Sequence, residues 1–267
     1  MKKPITVHDI MSKKGKEQIV MVTSYDFTMT RIIDASDIDI ILVGDSAGVV
    51  MAGGETTLGV TMDQMIYHTK CVTKARPGAL VVGDMPFMSY QINKEQAIAN
   101  AGRFLQEGQA QAVKLEGGKR VLDQVKAIVA ADIPVMGHLG LTPQSIHAFG
   151  GHKVQGRGEE AAKALLENAL ALQDAGVFSL VLECVPVNVA KEITAALKIP
   201  TIGIGAGSHC DGQVLVVQDL LGMFKEFRPR FVKRYATLFD VIKDALDTYS
   251  SEVRSGIFPD ESFSFKE

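Results

Sequence analysis

Ile40-Ile41-Leu42-Val43-Gly44-Asp45-Ser46 decides the fold. Four aliphatic residues run without alternation, and the chain then turns polar at once. A strand that is apolar on both faces must be covered on both faces, which is the mark of a parallel sheet under helices. The same shape recurs on either side. Ile19–Thr23 precedes it; Ala79–Val82, Ala112–Leu115, Pro134–Gly137, Leu180–Leu182, Thr201–Ile204 and Val214–Val217 follow.

Helical spacing fills the intervals. Residues 61–74 place Met62, Met65, Ile66 and Val72 on one stripe. Asn93 opens another helix, with Gln96 three residues on to complete a capping box and Ile98, Phe104 and Leu105 on its stripe. Residues 122–130, 159–174 and 188–197 read likewise, and Gly176 and Pro200 follow two of these as stop signals. Residues 6–15 predict a short helix that closes the floor of the sheet. Residues 218–225 and 235–253 predict helices after the last strand, before a polar tail from Phe258.

Eight strands with intervening helices in 267 residues match one (β/α)₈ TIM barrel, a single domain over residues 1–267 with a short N-terminal helix and a C-terminal helical extension. An open doubly wound sheet is the alternative, and usually has fewer strands at this length. No linker or low-complexity stretch divides the chain.

Composition narrows the function. The chain has 28 Lys+Arg, 31 Asp+Glu and a net charge of −3, with 46% hydrophobic residues. It is neither a disordered chain nor a polycation suited to nucleic acid. Three scattered cysteines, Cys71, Cys184 and Cys210, form no disulfide framework or zinc knuckle and fit a reducing compartment. Met1-Lys2-Lys3 is followed by no apolar run, and no stretch has the length of a membrane span. The expectation is a soluble cytoplasmic protein.

In such a barrel the chemistry sits at the C-terminal ends of the strands. Asp45, Asp84 and Glu116 end three successive strands. Converging carboxylates repel unless a cation joins them, and oxygen ligands without a His or Cys cluster suit Mg²⁺, or otherwise Mn²⁺. The plain alternative makes each a helix cap or the partner of a Lys or Arg. Lys114 lies two residues before Glu116, on the same strand face. It has three readings: a cation for a substrate carboxylate or enolate, a Schiff-base lysine, or a structural ion pair. Glu183 ends the apolar run 178–182, a desolvated setting that suits a proton-transferring acid. Cys184 beside it reads as a buried, inert thiol. His138 is a candidate substrate contact or, less readily, a metal ligand; a satisfied structural histidine is the alternative. Tyr25 and Ser46 are substrate contacts by position. Gly203-Ile204-Gly205-Ala206-Gly207 permits a phosphate reading or simply a tight turn, and it is no P-loop.

These segments resemble a known family. The resemblance rests on Leu42–Ser46, Tyr67–Thr69, Asp84-Met85-Pro86-Phe87 and Val113–Gly118, then on Gly137–Gln144, Lys153–Arg157, Glu183–Pro186, Ile202–Gly207 and Asp211–Val216. Together, in this order over essentially the whole chain, they are similar to the ketopantoate hydroxymethyltransferases of pantothenate biosynthesis. The resemblance implies a (β/α)₈ barrel and one Mg²⁺ per subunit, held through Asp45 and Asp84 with Glu116 in the metal region. It implies 2-oxo acid contacts at Asp45, Ser46, Asp84 and Lys114, a proton acceptor at Glu183, and a homodecamer built from pentameric rings. The implied reaction moves the one-carbon unit of 5,10-methylenetetrahydrofolate to C3 of 3-methyl-2-oxobutanoate. The competing readings are an aldolase with a Schiff base on Lys114 and a non-catalytic barrel scaffold. The chain departs from the family at His152, where Tyr is frequent, and at Gly83, where Ala is common.

Overall fold

The computed structural model describes residues 3–225 and 229–266. Met1 and Lys2, the first residues of the N-terminal reading, lie outside them, as does the last residue of the tail. The described chain forms two compact units, residues 1–216 and 217–267.

The first unit is a closed parallel barrel. Its strands are β1 (Ile19–Thr23), β2 (Ile40–Val43), β3 (Leu80–Asp84), β4 (Ala112–Glu116), β5 (Val135–Gly140), β6 (Ser179–Glu183), β7 (Thr201–Ile204) and β8 (Gly212–Leu215), in sequence order around the ring. β8 pairs with β1 to close it. The helices are α1 (Val7–Ser12), α2 (Phe27–Asp34), α3 (Ala47–Val50), α4 (Met62–Thr73), α5 (Lys94–Gln106), α6 (Leu122–Ala130), α7 (Ile146–Phe149), α8 (Glu159–Asp174) and α9 (Val187–Ala196). Thr61 caps α4 through a reciprocal box with Gln64, as Thr6 and Asp9 cap α1. Asn93 caps α5 by one bond only: its side chain accepts from the Gln96 N–H, but Gln96 Oε1 finds no hydrogen-bond partner, so the expected box is half formed.

Alternation along the strands builds the interior. Met21, Ile40, Leu42, Leu80, Val82, Ala112, Met136, Val181, Ile202 and Val214 pack as one apolar cluster. Each fully buried aliphatic side chain among them contributes about 1.5–3 kcal/mol. Ile10 of α1 is fully buried in the same cluster, so the N-terminal helix plugs the floor as expected. Two residues further along the inward face, the apolar layer gives way to polar groups. Val82 is succeeded by Asp84, Ala112 by Lys114 and then Glu116, Met136 by His138, and Val181 by Glu183.

The second unit holds α10 (Val217–Leu220) and α11 (Leu238–Ser255). β8 stops at Leu215, so Gln218 and Asp219 belong to α10 rather than to a strand end, and α10 is shorter than the helix expected over residues 218–225. The tail is anchored to α11 by rings, with Phe258 lying 5.7 Å from Tyr249 and 5.4 Å from Phe263 between centroids.

Candidate active site

Parallel register sets the polar groups side by side. Asp84 pairs with Lys114 across β3 and β4, and Glu116 with His138 across β4 and β5. Lys114 Nζ lies 2.6 Å from Asp84 Oδ1 and 3.4 Å from His138 Nδ1. His138 spans two acids: Nδ1 is 3.4 Å from Glu116 Oε1 and Nε2 is 3.3 Å from Glu183 Oε2. These are charge contacts rather than aligned hydrogen bonds, for Glu116 Oε1 and His138 Nε2 have no hydrogen-bond partner. Asp45 enters where the chain leaves β2 for the one-turn α3. Its backbone N–H donates to Asp84 Oδ2 at 3.1 Å. Ser46 exchanges a 2.8 Å hydrogen bond with Tyr25 Oη, and His68 Nδ1 meets the Tyr25 carbonyl oxygen at 2.8 Å.

Burial and charge act against one another here. Asp45, Asp84, Lys114, Glu116 and His138 are all buried, while the Glu183 side chain keeps 16% of its surface exposed. Burial raises Asp84, Lys114 pulls it back, and the balance stands at about 6. Burial and then Glu116 raise Asp45. For Lys114, burial opposes the charge, but Asp84, Glu116 and Asp45 outweigh it and hold the ammonium well above its ordinary value. Burial and Lys114 also oppose charge on His138, yet Glu116 and Glu183 raise it to about 9. A Schiff base needs an uncharged amine, so the geometry around Lys114 opposes that reading. Cys184 is half-buried rather than buried as expected, and desolvation still pushes its thiol up to about 11, in keeping with an inert cysteine.

The donor set fits a hard divalent cation. Four carboxylates face one ammonium and one imidazole, and Glu116 Oε1 is buried without a hydrogen-bond partner. Among the described residues no three His, Cys, Asp or Glu side chains form a finished metal cage. Mg²⁺ does not require one, since it is commonly bound through one or two carboxylates and completed by substrate oxygens and water.

Comparison with known proteins shows the family. The family model described as ketopantoate hydroxymethyltransferase matches residues 4–261. The chain belongs to the ketopantoate hydroxymethyltransferase family. It is 58% identical over 266 residues to the 3-methyl-2-oxobutanoate hydroxymethyltransferase of Geobacter sulfurreducens, covering 99% of this chain and 100% of that one. It is 56% identical over 266 residues to the protein of the same name from Pelobacter propionicus, covering 99% and 98%. Two solved structures share the fold alone. One is phosphonopyruvate hydrolase in complex with oxalate and Mg²⁺, with a TM-score of 0.63, 9% identity, and coverage of 98% and 92%. The other is 2,3-dimethylmalate lyase, a PEP mutase/isocitrate lyase superfamily member, with a TM-score of 0.62, 13% identity, and coverage of 97% and 89%.

Two buried residues of this ketopantoate hydroxymethyltransferase family member escaped sequence reasoning. Gln144 Nε2 donates to Asp45 Oδ2 at 2.9 Å, and its backbone N–H donates to Glu116 Oε2 at 3.0 Å. Tyr90 Oη donates to Gln144 Oε1 at 2.8 Å and accepts the Glu116 N–H at 3.1 Å. Neither side chain carries charge and neither ends a strand, so charge and position did not mark them, although Gln144 closes the Gly137–Gln144 segment of the family resemblance. The glycine loop after β7 resolves as a turn: Gly205 and Gly207 have φ of +65° and +81°, and a Cβ on Gly207 would lie 2.4 Å from Val187. Of the two departures from the family, His152 is exposed, and Gly83 lies under Phe104 of α5.

Proposed function

We propose that the protein transfers the one-carbon unit of 5,10-methylenetetrahydrofolate to C3 of 3-methyl-2-oxobutanoate, giving 2-dehydropantoate for pantothenate biosynthesis. One observation carries the reading: Glu183 alone among the rim acids retains exposure, and it is held 3.3 Å from His138, apart from the buried Asp45, Asp84 and Glu116. That is the separation expected of one proton acceptor beside a cation-holding group. The names of the relatives support the choice of substrate.

Asp45, Asp84 and Glu116 would hold the divalent cation, taken as Mg²⁺, which when bound polarises the 2-oxo group and makes C3–H more acidic. Lys114, kept charged by its acids, faces the substrate carboxylate and the oxygen on which charge develops. Ser46, fixed by Tyr25, adds a hydroxyl to the same side. Glu183 removes the C3 proton, and His138 orients Glu183 from behind. C3 then takes up the one-carbon unit, water supplies the hydroxyl, and tetrahydrofolate leaves. Cytoplasmic location and a homodecamer complete the proposal. No helix of the described residues is long and apolar enough to cross a membrane. Analytical ultracentrifugation reads the assembly.

The test is exchange of the C3 proton of 3-methyl-2-oxobutanoate in D₂O, followed by NMR with and without Mg²⁺. Exchange that depends on metal, and that falls by about 100-fold or more in a folded Glu183→Gln variant, is the expected result. Undiminished exchange in that variant removes Glu183 as the base. If the wild type exchanges nothing, tetrahydrofolate and formaldehyde are added and 2-dehydropantoate is assayed; no product there sinks the substrate assignment.

A further inference from the structure

The backbone leaves β6 through a strained residue. Cys184 has a φ of +50°, in the left-handed region that residues other than glycine seldom enter. Arg76, Gln109 and Asp132 share that sign of φ, but they lie just past the ends of α4, α5 and α6, where a left-handed residue commonly closes a helix. Met88, also of positive φ, lies in the loop between β3 and α5. Among the described residues other than glycine, Cys184 alone combines positive φ with a place directly after a strand, and that strand ends in Glu183. Such a conformation persists only where its surroundings over-determine it.

Those surroundings grip β6 from three sides. The Cys184 N–H donates to the Ile204 carbonyl of β7 at 2.9 Å, and the Cys184 carbonyl accepts the Gln155 N–H, from the loop between α7 and α8, at 2.9 Å. The Glu183 carbonyl accepts the Leu141 N–H, just past β5, at 2.8 Å. Glu183 pairs in register with Gly140, whose φ is +94°. A Cβ on Gly140 would lie 2.1 Å from the Glu183 carbonyl oxygen and 2.7 Å from Val185 Cγ2. The first of these is backbone and cannot swing aside, so only glycine lets β5 and β6 close here. Two residues before Gly140, His138 Nε2 lies 3.3 Å from Glu183 Oε2. The end of β5 therefore meets Glu183 twice, at its carbonyl and at its carboxylate.

The other rim acids are aimed by hydrogen bonds to their side chains: Asp45 by the Gln144 amide, Asp84 by Lys114 and Glu116 by the Gln144 N–H. The Glu183 carboxylate is paired, among the described residues, only with His138. Its direction must come from the backbone that carries it. Resting on Glu183 as the proton acceptor, we propose that Gly140 and Cys184 are positioning residues, the one by its missing side chain and the other by its left-handed backbone, which together hold the Glu183 carboxylate at the proton it removes. The Cys184 thiol takes no part.

The experiment measures kcat and KM of the full-length protein with Mg²⁺ for C3-proton exchange of 3-methyl-2-oxobutanoate, or for 2-dehydropantoate formation where exchange needs the folate. Cys184→Val places a β-branched side chain where left-handed backbone is least tolerated. It is expected to lower kcat by about 10–100-fold, the scale of a misplaced reacting group, and to move KM by less than about twofold, because the lost interaction belongs to the transition state. Cys184→Gly accepts the same φ and is expected to return kcat to near the wild-type value without the thiol. Gly140→Ala is expected to lower kcat as Cys184→Val does, with circular dichroism reading the fold of each variant. A wild-type kcat in either folded Cys184→Val or folded Gly140→Ala overturns the proposal. So does a Cys184→Gly variant as slow as Cys184→Val, which would put the effect in the side chain. Glu183→Gln run in parallel separates the two ideas. Undiminished exchange there removes the base, and the positioning role with it; exchange lost there but kept in Cys184→Val removes the positioning role and leaves the base.

Discussion

Gln144 bears no charge, yet its amide and its backbone N–H join Asp45 to Glu116, while Tyr90 holds the amide oxygen. The amide sets the spacing of two acids that would otherwise repel. Where the two acids hold a cation as proposed, outer partners of this kind are typically worth about 10–100-fold in metal affinity. Gln144→Leu is therefore expected to raise the Mg²⁺ dissociation constant by about that factor, measured by calorimetry, with the fold retained by circular dichroism. Gln144→Glu, which keeps the length but adds a charge beside Asp45, should not restore the Tyr90 and Asp45 contacts together. Unaltered metal affinity in both variants would show that the acids need no such spacer. Lys114 makes the opposite case at this scale. Its charge and its two-residue offset from Glu116 were plain in the sequence, but its contact with Asp84 depends on the pairing of β3 with β4.

At the scale of elements, what was legible is what local periodicity controls. Continuous apolar runs located the strands because a barrel strand is covered on both faces. The start of α4 followed from its Thr61 cap, and the ends of α8 and α9 from the stop signals Gly176 and Pro200 in the chain itself. β8 slipped by two residues because Val214–Val217 is apolar on both sides of the true boundary, and only pairing with β1 chooses the register. The rim acids were legible because Asp84, Glu116 and Glu183 end strands and Asp45 lies just past one; their mutual distances were not, because register is a property of neighbours. Gly83 belongs to this scale. A Cβ there would lie 2.3 Å from the Phe104 ring, which is fully buried. β3 and α5 thus meet through the missing methyl group. Gly83→Ala is expected to cost about 1–3 kcal/mol by overpacking, and Phe104→Leu in the same chain is expected to recover part of that loss. Chemical denaturation of the two single variants and the pair reads the coupling; strict additivity would deny that the methyl group and the ring compete for one space.

For the molecule as a whole, the buried charges link stability to pH and, on the proposed chemistry, to metal. His138 is raised from 6.5 to about 9 in the folded metal-free chain, so its contribution is fully present below 6.5 and is lost as pH rises through 9. The Tm of the protein in EDTA is therefore expected to fall across that window, and a His138→Gln variant should lose this part of the slope. A cation that binds only the folded form raises Tm by mass action, by about 2.7 kcal/mol of stability at 100 times its dissociation constant. The floor plug has its own consequence. With Ile10 sealed among the aliphatic residues of the strands, the barrel is a cul-de-sac, and everything that reacts inside shares one doorway. On the proposed chemistry, traffic is then a matter of queueing. The small oxo acid, seated against the deepest acids, enters before the bulky folate draws up behind it, and the lengthened acid departs only after tetrahydrofolate has cleared the passage.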